Sequence, residues 1–242
     1  MQLVYLHGFA TTPDIWSRAW KPANKLRGFQ DDGNSEETET CLPAGTAFSL
    51  RFPNLNFGNM DAESQKLANQ LRPGSILIGW SMGGMLALKT TELAGDKIKA
   101  LVLISTTPKF IRSPDFPHGL PMALLKRLEK KIRAEGTAAF HNLVFKNTPS
   151  IGLAHLSWEE VGKEFTELVR IDLRGSLKKI RIPTLIVHGD RDEICLPSAA
   201  EYMRENILNS DLVMLPGVGH APMIENPELF NSHLSRFIEK YV

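Results

Sequence analysis

The 242-residue chain lacks several features that define whole classes of protein. It holds only two cysteines, Cys41 and Cys195, too few for a disulfide framework. No apolar run approaches the ~20 residues that a membrane-spanning helix needs. The first residues lack the basic segment and the long apolar stretch of a signal peptide. We therefore expect a cytoplasmic protein without a membrane partner.

The chain also lacks an excess of charge of either sign, with 28 Lys and Arg against 27 Asp and Glu. Its basic residues do not alternate with exposed aromatic residues, as they would in a nucleic-acid-binding surface. Five of its histidines show no spacing typical of metal ligands, either with each other or with carboxylates: His118, His141, His155, His188 and His233. We expect no metal, no cofactor and no nucleic-acid partner.

Short apolar segments alternate with segments of helical pattern along the chain. Because these segments are apolar almost throughout, they are typical of strands covered on both faces. This alternation predicts an α/β fold, with a doubly wound, mostly parallel sheet of about six strands. The predicted strands are Leu3–Leu6, Phe48–Phe52, Ser75–Ile78, Ala100–Ile104, Thr184–His188 and Leu212–Leu215.

Two segments interrupt the alternation. Residues 28–47 hold five acidic residues and no Lys or Arg, which predicts an exposed, solvated loop. Residues 108–178 are largely helical in pattern and too long for a plain connection. We expect them to form an inserted helical cap on a core made of residues 1–107 and 179–242.

The motif with the clearest chemical meaning is Gly79-Trp80-Ser81-Met82-Gly83. It follows a predicted strand and precedes a predicted helix, which is the setting of a G-x-S-x-G nucleophile elbow. Such a turn raises the serine hydroxyl above the sheet and points the free N–H groups of a helix N-terminus at it. Ser81 is therefore the candidate nucleophile.

A serine hydroxyl needs a base and an orienting acid, which follow the serine in the order acid, then histidine. His220 lies in a glycine-rich loop after the last predicted strand and is the candidate base. Asp190 and Asp192 both follow the preceding strand. We expect Asp190 to bind backbone within its own turn, and Asp192 to be the acid because it lies further out, toward His220.

The same geometry requires two backbone N–H groups to stabilise an oxyanion. One belongs to Met82, which follows the nucleophile. The other should come from the loop after the first strand, where Gly8 permits close approach and Phe9 supplies the N–H.

At this point the sequence resembles a known family. The segments HGF, GWSMGG, IPTLIVHGDRDEICLP and GVGHAPMIENPELF are similar to those of α/β-hydrolase esterases along most of the chain. Trp80, the stretch Asp172-Leu173-Arg174 and the stretch His220-Ala221-Pro222 further resemble the pimeloyl-[acyl-carrier protein] methyl ester esterases of biotin synthesis. The antiparallel hairpin with which that family begins has no counterpart in this sequence. Conversely, residues 28–47 have no counterpart in the family.

The resemblance implies a serine carboxylesterase that hydrolyses a small acyl ester through an acyl-enzyme, without a cofactor. The implied substrate is a pimeloyl group, held as its methyl ester on acyl-carrier protein. Phe9, Ser81, Met82 and His220 match substrate contacts of the family. In the cap, the segment that matches the lining of the acyl chain contains Phe140, Leu143 and Val144.

The charge of the predicted cap indicates whether it could bind a carrier protein. Residues 108–150 hold eight basic and three acidic residues. A basic cap would attract an acidic carrier protein, and its densest cluster is Lys126, Arg127, Lys130, Lys131 and Arg133. A solvated helix face without a partner explains the same charges.

Other functions remain open on the sequence alone. A broad short-chain carboxylesterase, a menaquinone-pathway lyase and a carbon–carbon bond hydrolase share the elbow and a helical cap. A non-catalytic ligand receptor of the same fold is a different class. The complete set of Ser, Asp and His argues against the receptor, because a binding protein does not need it.

Overall fold

The structure is a computed structural model that describes residues 2–16, 48–51, 55–145 and 151–241. The acidic segment 28–47 lies outside the described residues, as does Cys41.

Six strands form one sheet, in the order β2-β1-β3-β4-β5-β6, and every described pairing is parallel. The predicted parallel α/β architecture is therefore confirmed. The strands are β1 (Gln2–Leu6), β2 (Phe48–Arg51), β3 (Ser75–Trp80), β4 (Ile98–Ile104), β5 (Thr184–Gly189) and β6 (Ser210–Leu215).

Burial explains why the inner strands read as continuous apolar segments. Every residue of β1, β3 and β5 is buried, which leaves no solvent-facing side for polar residues. The edge strand β6 is more exposed and begins two residues before the predicted start at Leu212. Ser210 and Asp211 are polar, which gave no sign of a strand, yet they pair with Thr184 and Leu185 of β5.

Helices connect the strands and close the core. They are α1 (Met60–Gln70), α2 (Met82–Ala94), α3 (Met122–Glu135), α4 (Ala138–Phe145), α5 (Trp158–Arg170), α6 (Arg174–Leu177), α7 (Pro197–Asn206), α8 (Pro222–Glu225) and α9 (Pro227–Ile238). Single turns of 3₁₀ helix lie at Phe57–Asn59 and Gly95–Lys97. The starts of α1 and α9 are set by N-cap asparagines. The side chains of Asn59 and Asn226 accept hydrogen bonds from backbone N–H groups of the first turn.

The segment between β4 and β5 carries α3 to α6 and lies against the core helices. Ser157 and Glu160 form a reciprocal capping box that fixes the start of α5. At the end of α5, Arg170 donates to Asp61 of α1 over 2.8 Å. The boundaries of a separate cap at residues 108 and 178 stay a prediction.

Parallel strands bring their carboxyl ends to one edge of the sheet. Leu6 of β1 pairs with Gly79 of β3, and Gly189 of β5 pairs with Leu215 of β6. The loops that follow these four strands carry Phe9, Ser81, Asp192 and His220. The topology thus places all four at the same edge.

Candidate active site

The turn between β3 and α2 holds Ser81 in an unusual backbone conformation. Its φ of 55° and ψ of −120° lie outside the regions that L-residues ordinarily occupy, which costs about 1–3 kcal/mol. Its N–H donates to the carbonyl of Ile104 over 2.9 Å. The Ser81 carbonyl accepts the Thr106 hydroxyl at 2.6 Å. These bonds to β4 and the residues after it hold the turn in its strained form.

The two flanking glycines of the motif are needed because backbone passes where a side chain would be. A Cβ on Gly79 would lie 2.7 Å from the Cα of Gly84, and a Cβ on Gly83 would run into the carbonyls of Leu6 and His7. Contacts this close to backbone cannot be relieved by a rotamer change. The G-x-S-x-G pattern is therefore a packing requirement of this turn.

Ser81, His220 and Asp192 form a continuous chain of hydrogen bonds. The Nε2 atom of His220 lies 2.9 Å from the Oγ atom of Ser81, and its Nδ1 atom lies 2.8 Å from the Oδ2 atom of Asp192. All three residues are buried, with exposed fractions of 7% or less. This is the geometry in which an imidazole can accept the hydroxyl proton while a carboxylate holds its other nitrogen.

Asp192 is surrounded by hydrogen-bond donors. Its Oδ1 atom accepts the N–H groups of Ile194 (2.8 Å) and Cys195 (3.0 Å), while its Oδ2 atom faces His220 and also His188 at 3.2 Å. Burial alone would raise the pKa of this carboxyl. The charge of His220 and the hydrogen bonds from His188 and His220 outweigh burial and hold the pKa well below its usual range. Asp192 is therefore an anion.

The loop that carries His220 is fixed on several sides. The carboxylate of Glu225 accepts the N–H groups of Gly219 (2.8 Å) and Ala221 (2.9 Å), the two neighbours of His220. The indole N–H of Trp80 donates to the His220 carbonyl over 2.7 Å. These contacts set the backbone position from which the imidazole reaches Ser81.

Asp190 takes a different partner from the predicted one. Its Oδ1 atom accepts the N–H of Gly217 over 2.7 Å, which links the acid loop to the histidine loop. The expectation of a bond to backbone was correct, but the bond crosses to the next loop because β5 and β6 are neighbours.

Phe9 and Met82 lie beside Ser81, in the wall of the same cavity. Neither of their N–H groups has an acceptor within the described part of the chain. Met82 is the first residue of α2, so its N–H is one of the free donors of a helix N-terminus. Two unpaired donors therefore lie where the sequence predicts an oxyanion site.

The cavity at Ser81 is almost entirely apolar and narrow. The cavity volume is about 20 Å³, enough for about one water molecule. An acyl chain would therefore have to displace side chains of the wall. The wall is formed by Phe9, Met82, Met85, Phe110, Leu125, Leu128, Phe140, Phe165, Leu168, Ile194 and Cys195.

The three predicted cap contacts separate in the structure. Phe140 lines the cavity at Ser81, where its ring meets that of Phe9 edge-on at a centroid distance of 4.8 Å. Leu143 and Val144 line a second groove of about 270 Å³, which His220 also borders. They flank the histidine and not the apolar cavity, so an acyl-lining role for these two has no support from the geometry.

The five basic residues predicted as a docking surface lie on α3 and are all exposed. Within the described chain, none of them pairs with a carboxylate. Lys109, counted among the basic residues of the cap, is instead bound to Asp172 over 3.1 Å. The helix α3 therefore presents five exposed cations that have no ion-pair partner among the described residues.

Two further observations concern the described residues only. They contain no group of three or more His, Cys, Asp or Glu side chains that could hold a metal ion. None of the described helices is long and apolar enough to cross a membrane.

Comparison with known proteins places this geometry in a family. The model of the Alpha/beta hydrolase family matches residues 3–233. The chain belongs to this family. The hydrolase resemblance predicted from the sequence is thereby confirmed.

Relatives of the chain within the alpha/beta hydrolases carry one recurring name. A pimeloyl-[acyl-carrier protein] methyl ester esterase of Nitrosospira multiformis is 27% identical over 97% of this chain and 93% of its own length. The protein of that name from Aromatoleum aromaticum is 28% identical over 93% of each chain. Family and relatives together support the predicted carboxylic ester hydrolase.

Solved structures support the fold. An esterase from Exiguobacterium antarcticum is similar with a TM-score of 0.78 at 20% identity, over 99% of this chain and 92% of that one. A bromoperoxidase from Bacillus anthracis is similar with a TM-score of 0.73 at 20% identity, over 98% and 91%.

Several residues near the site had no signal in the sequence. His188 shares the carboxylate of Asp192, and Glu225 binds both neighbours of His220. Both lie within the segments that resemble the family, but no spacing rule assigns either of them a role. Leu125 and Leu168 reach the cavity only through the packing of α3 and α5.

Proposed function

We propose that this alpha/beta hydrolase is a serine carboxylesterase in which Ser81, His220 and Asp192 form the catalytic triad. The observation that carries the proposal is the hydrogen-bond chain of 2.9 Å and 2.8 Å through His220. It joins a hydroxyl on a strained turn to a buried anion, next to two unpaired N–H groups.

The reaction is acyl transfer to water in two steps. As the Oγ atom of Ser81 attacks the ester carbonyl, the Nε2 atom of His220 takes its proton, and Asp192 stabilises the imidazolium. The N–H groups of Phe9 and Met82 bind the oxyanion; losing one such donor typically costs about 3 kcal/mol of transition-state stabilisation. His220 then protonates the leaving alcohol and activates water, which releases the acid and frees Ser81.

A burst experiment tests this chemistry. Hydrolysis of a short p-nitrophenyl ester should release p-nitrophenol in a burst that approaches one equivalent per chain whenever deacylation is the slower step. The Ser81→Ala variant should show neither burst nor turnover, whereas Ser232→Ala, which removes an exposed hydroxyl on α9, should behave as the parent. Equal rates for the Ser81→Ala variant and the parent would exclude Ser81 as nucleophile.

The substrate that the relatives favour is the methyl ester of a pimeloyl group on acyl-carrier protein. The support is the name that these relatives share at 27–28% identity over nearly the whole chain. The apolar wall of the cavity suits a methylene chain, and the exposed cations of α3 offer an acidic carrier protein an electrostatic surface.

A charge-reversal experiment separates the carrier protein from the free ester. The rates on methyl pimeloyl-carrier protein and on free methyl pimelate are compared for the double variant Lys126→Glu with Lys130→Glu. The control is Lys178→Glu with Lys179→Glu, two exposed lysines after α6. We expect kcat/KM to fall at least tenfold for the carrier-bound ester only, and only for the variant on α3. Equal rates on both substrates, unchanged by the reversal, would reject the carrier protein.

A further inference from the structure

His188 is a fully buried histidine next to the triad, and the proposed reaction does not use it. It lies in β5, four residues before Asp192. Its Nε2 atom is 2.7 Å from the carbonyl oxygen of Cys195 and 3.2 Å from the Oδ2 atom of Asp192. Its Nδ1 atom has no hydrogen-bond partner in the described part of the chain.

These contacts define which nitrogen carries the proton. Both neighbours of Nε2 are oxygen acceptors, so Nε2 must be a donor. A proton on Nδ1 as well would be a buried N–H without an acceptor in the described part of the chain, which is costly. His188 is therefore the neutral tautomer with its single proton on Nε2, shared between Cys195 and Asp192.

The shared proton changes what Asp192 can do. The Oδ1 atom is held by the N–H groups of Ile194 and Cys195, which fixes one end of the carboxylate. The Oδ2 atom is left between two imidazoles, His188 and His220. A donor on this oxygen fixes the carboxylate plane and draws negative charge away from the side that faces His220.

The other groups around this cluster do not supply the same effect. The thiol of Cys195 lies in the same turn, and burial together with the charge of Asp192 raises its pKa, so it stays uncharged. Arg191, Glu193 and Glu225 line the groove that His220 also borders. Within the described chain, His188 is the only side chain besides His220 that bonds to Asp192.

We propose that His188 is a positioning residue for the triad, which orients the carboxylate of Asp192 and limits the negative charge that it presents to His220. This inference rests on the proposed triad. It predicts that removing the Nε2 donor leaves more charge on Asp192, so that the imidazolium of His220 forms more readily.

The test compares His188→Met, which removes the donor at similar length, with His188→Gln, whose amide can place an N–H near the Nε2 position. His233→Met, on a half-exposed position of α9, serves as the control. The readout is the dependence of kcat/KM on pH with a p-nitrophenyl ester. For His188→Met, we expect the midpoint of the acidic limb to rise by roughly 0.5–1 unit and the plateau of kcat/KM to fall by about tenfold. For His188→Gln and His233→Met, the midpoint should stay within about 0.2 unit of the parent, because a donor or the whole site is retained.

A midpoint in His188→Met equal to that of the parent would overturn the proposal, since a merely structural role changes the plateau and not the midpoint. If both His188 variants fail to fold, ¹⁵N NMR of the imidazoles in the parent decides. A proton on Nε2 of His188 throughout the titration supports the proposal, and a proton on Nδ1 or a charged ring overturns it. Failure of the triad itself is distinguishable, because Ser81→Ala would then retain the activity of the parent.

Discussion

Glu225 offers a way to perturb His220 while all three proposed catalytic side chains remain in place. Its two carboxylate oxygens accept the N–H groups of Gly219 and Ala221, at 2.8 and 2.9 Å. The Glu225→Ala variant removes both bonds. The Glu225→Gln variant keeps one, because an amide accepts only through its oxygen and presents N–H groups to the second donor.

The magnitude follows from the number and setting of these bonds. A hydrogen bond to a charged group contributes about 1.5–3 kcal/mol, and the half-exposed position of Glu225 favours the lower end. Two bonds then restrain the loop by about 3 kcal/mol. If about half of this restraint acts on the position of the imidazole, kcat/KM falls about tenfold for Glu225→Ala, since 1.36 kcal/mol is a factor of ten. Glu225→Gln should fall about threefold.

The assay measures kcat/KM with a p-nitrophenyl ester near pH 8, with the free energy of unfolding from urea titration as the parallel readout. Glu228→Gln is the matched control, because it removes a charge from the exposed first turn of α9, three residues further along. The control should match the parent in both measurements. An unchanged kcat/KM in Glu225→Ala, with stability reduced, would show that the two bonds support the fold and not the position of His220.

Three further predictions test other parts of the site. Burial, followed by the charge of Glu160, raises the pKa of Glu164 from 4.5 to about 8. Because the folded state holds this proton more tightly, the free energy of unfolding should fall by roughly 2–5 kcal/mol as pH rises from 4.5 to 8. Urea titrations should show a smaller fall in Glu164→Gln. Asp192→Asn should lower kcat by about 10⁴-fold at unchanged fold, because an amide no longer stabilises the imidazolium, and a loss below tenfold would contradict the assigned acid. Leu125→Ala should enlarge the acyl cavity and raise the ratio of kcat/KM for hexanoyl over acetyl esters, despite a stability cost of about 2–5 kcal/mol; an unchanged ratio would place the acyl chain elsewhere.

The arrangement of Ser81, Asp192 and His220 could be predicted because each follows a strand whose sequence identifies it. Once the sheet is parallel, the carboxyl ends of these strands must meet at one edge, whatever the remainder of the chain does. Gly79 and Gly83 indicate the strained turn at Ser81, since only glycine fits against the passing backbone. Local sequence and one topological rule were therefore enough.

The walls of the site could not be predicted in the same way. Phe140 and Val144 are one helical turn apart on α4 and share a face, yet the first lines the cavity at Ser81 and the second lines the groove beside His220. The division depends on how α3, α4 and α5 pack on each other, which no local pattern encodes. His188 was missed for a related reason: a buried histidine in an apolar strand gives no sign that an acid four residues later turns back onto it.

The nucleophilic role of Ser81 is the central claim, and covalent labelling tests it most directly. A fluorophosphonate reacts far faster with an activated serine than with an ordinary hydroxyl, so mass spectrometry of the briefly treated protein should find one adduct per chain, located on the peptide that contains Ser81. The Ser81→Ala variant should carry none, and His220→Ala should label far more slowly because its hydroxyl has lost the base. A parent chain that remains unlabelled, or an adduct that persists in Ser81→Ala, would contradict the account.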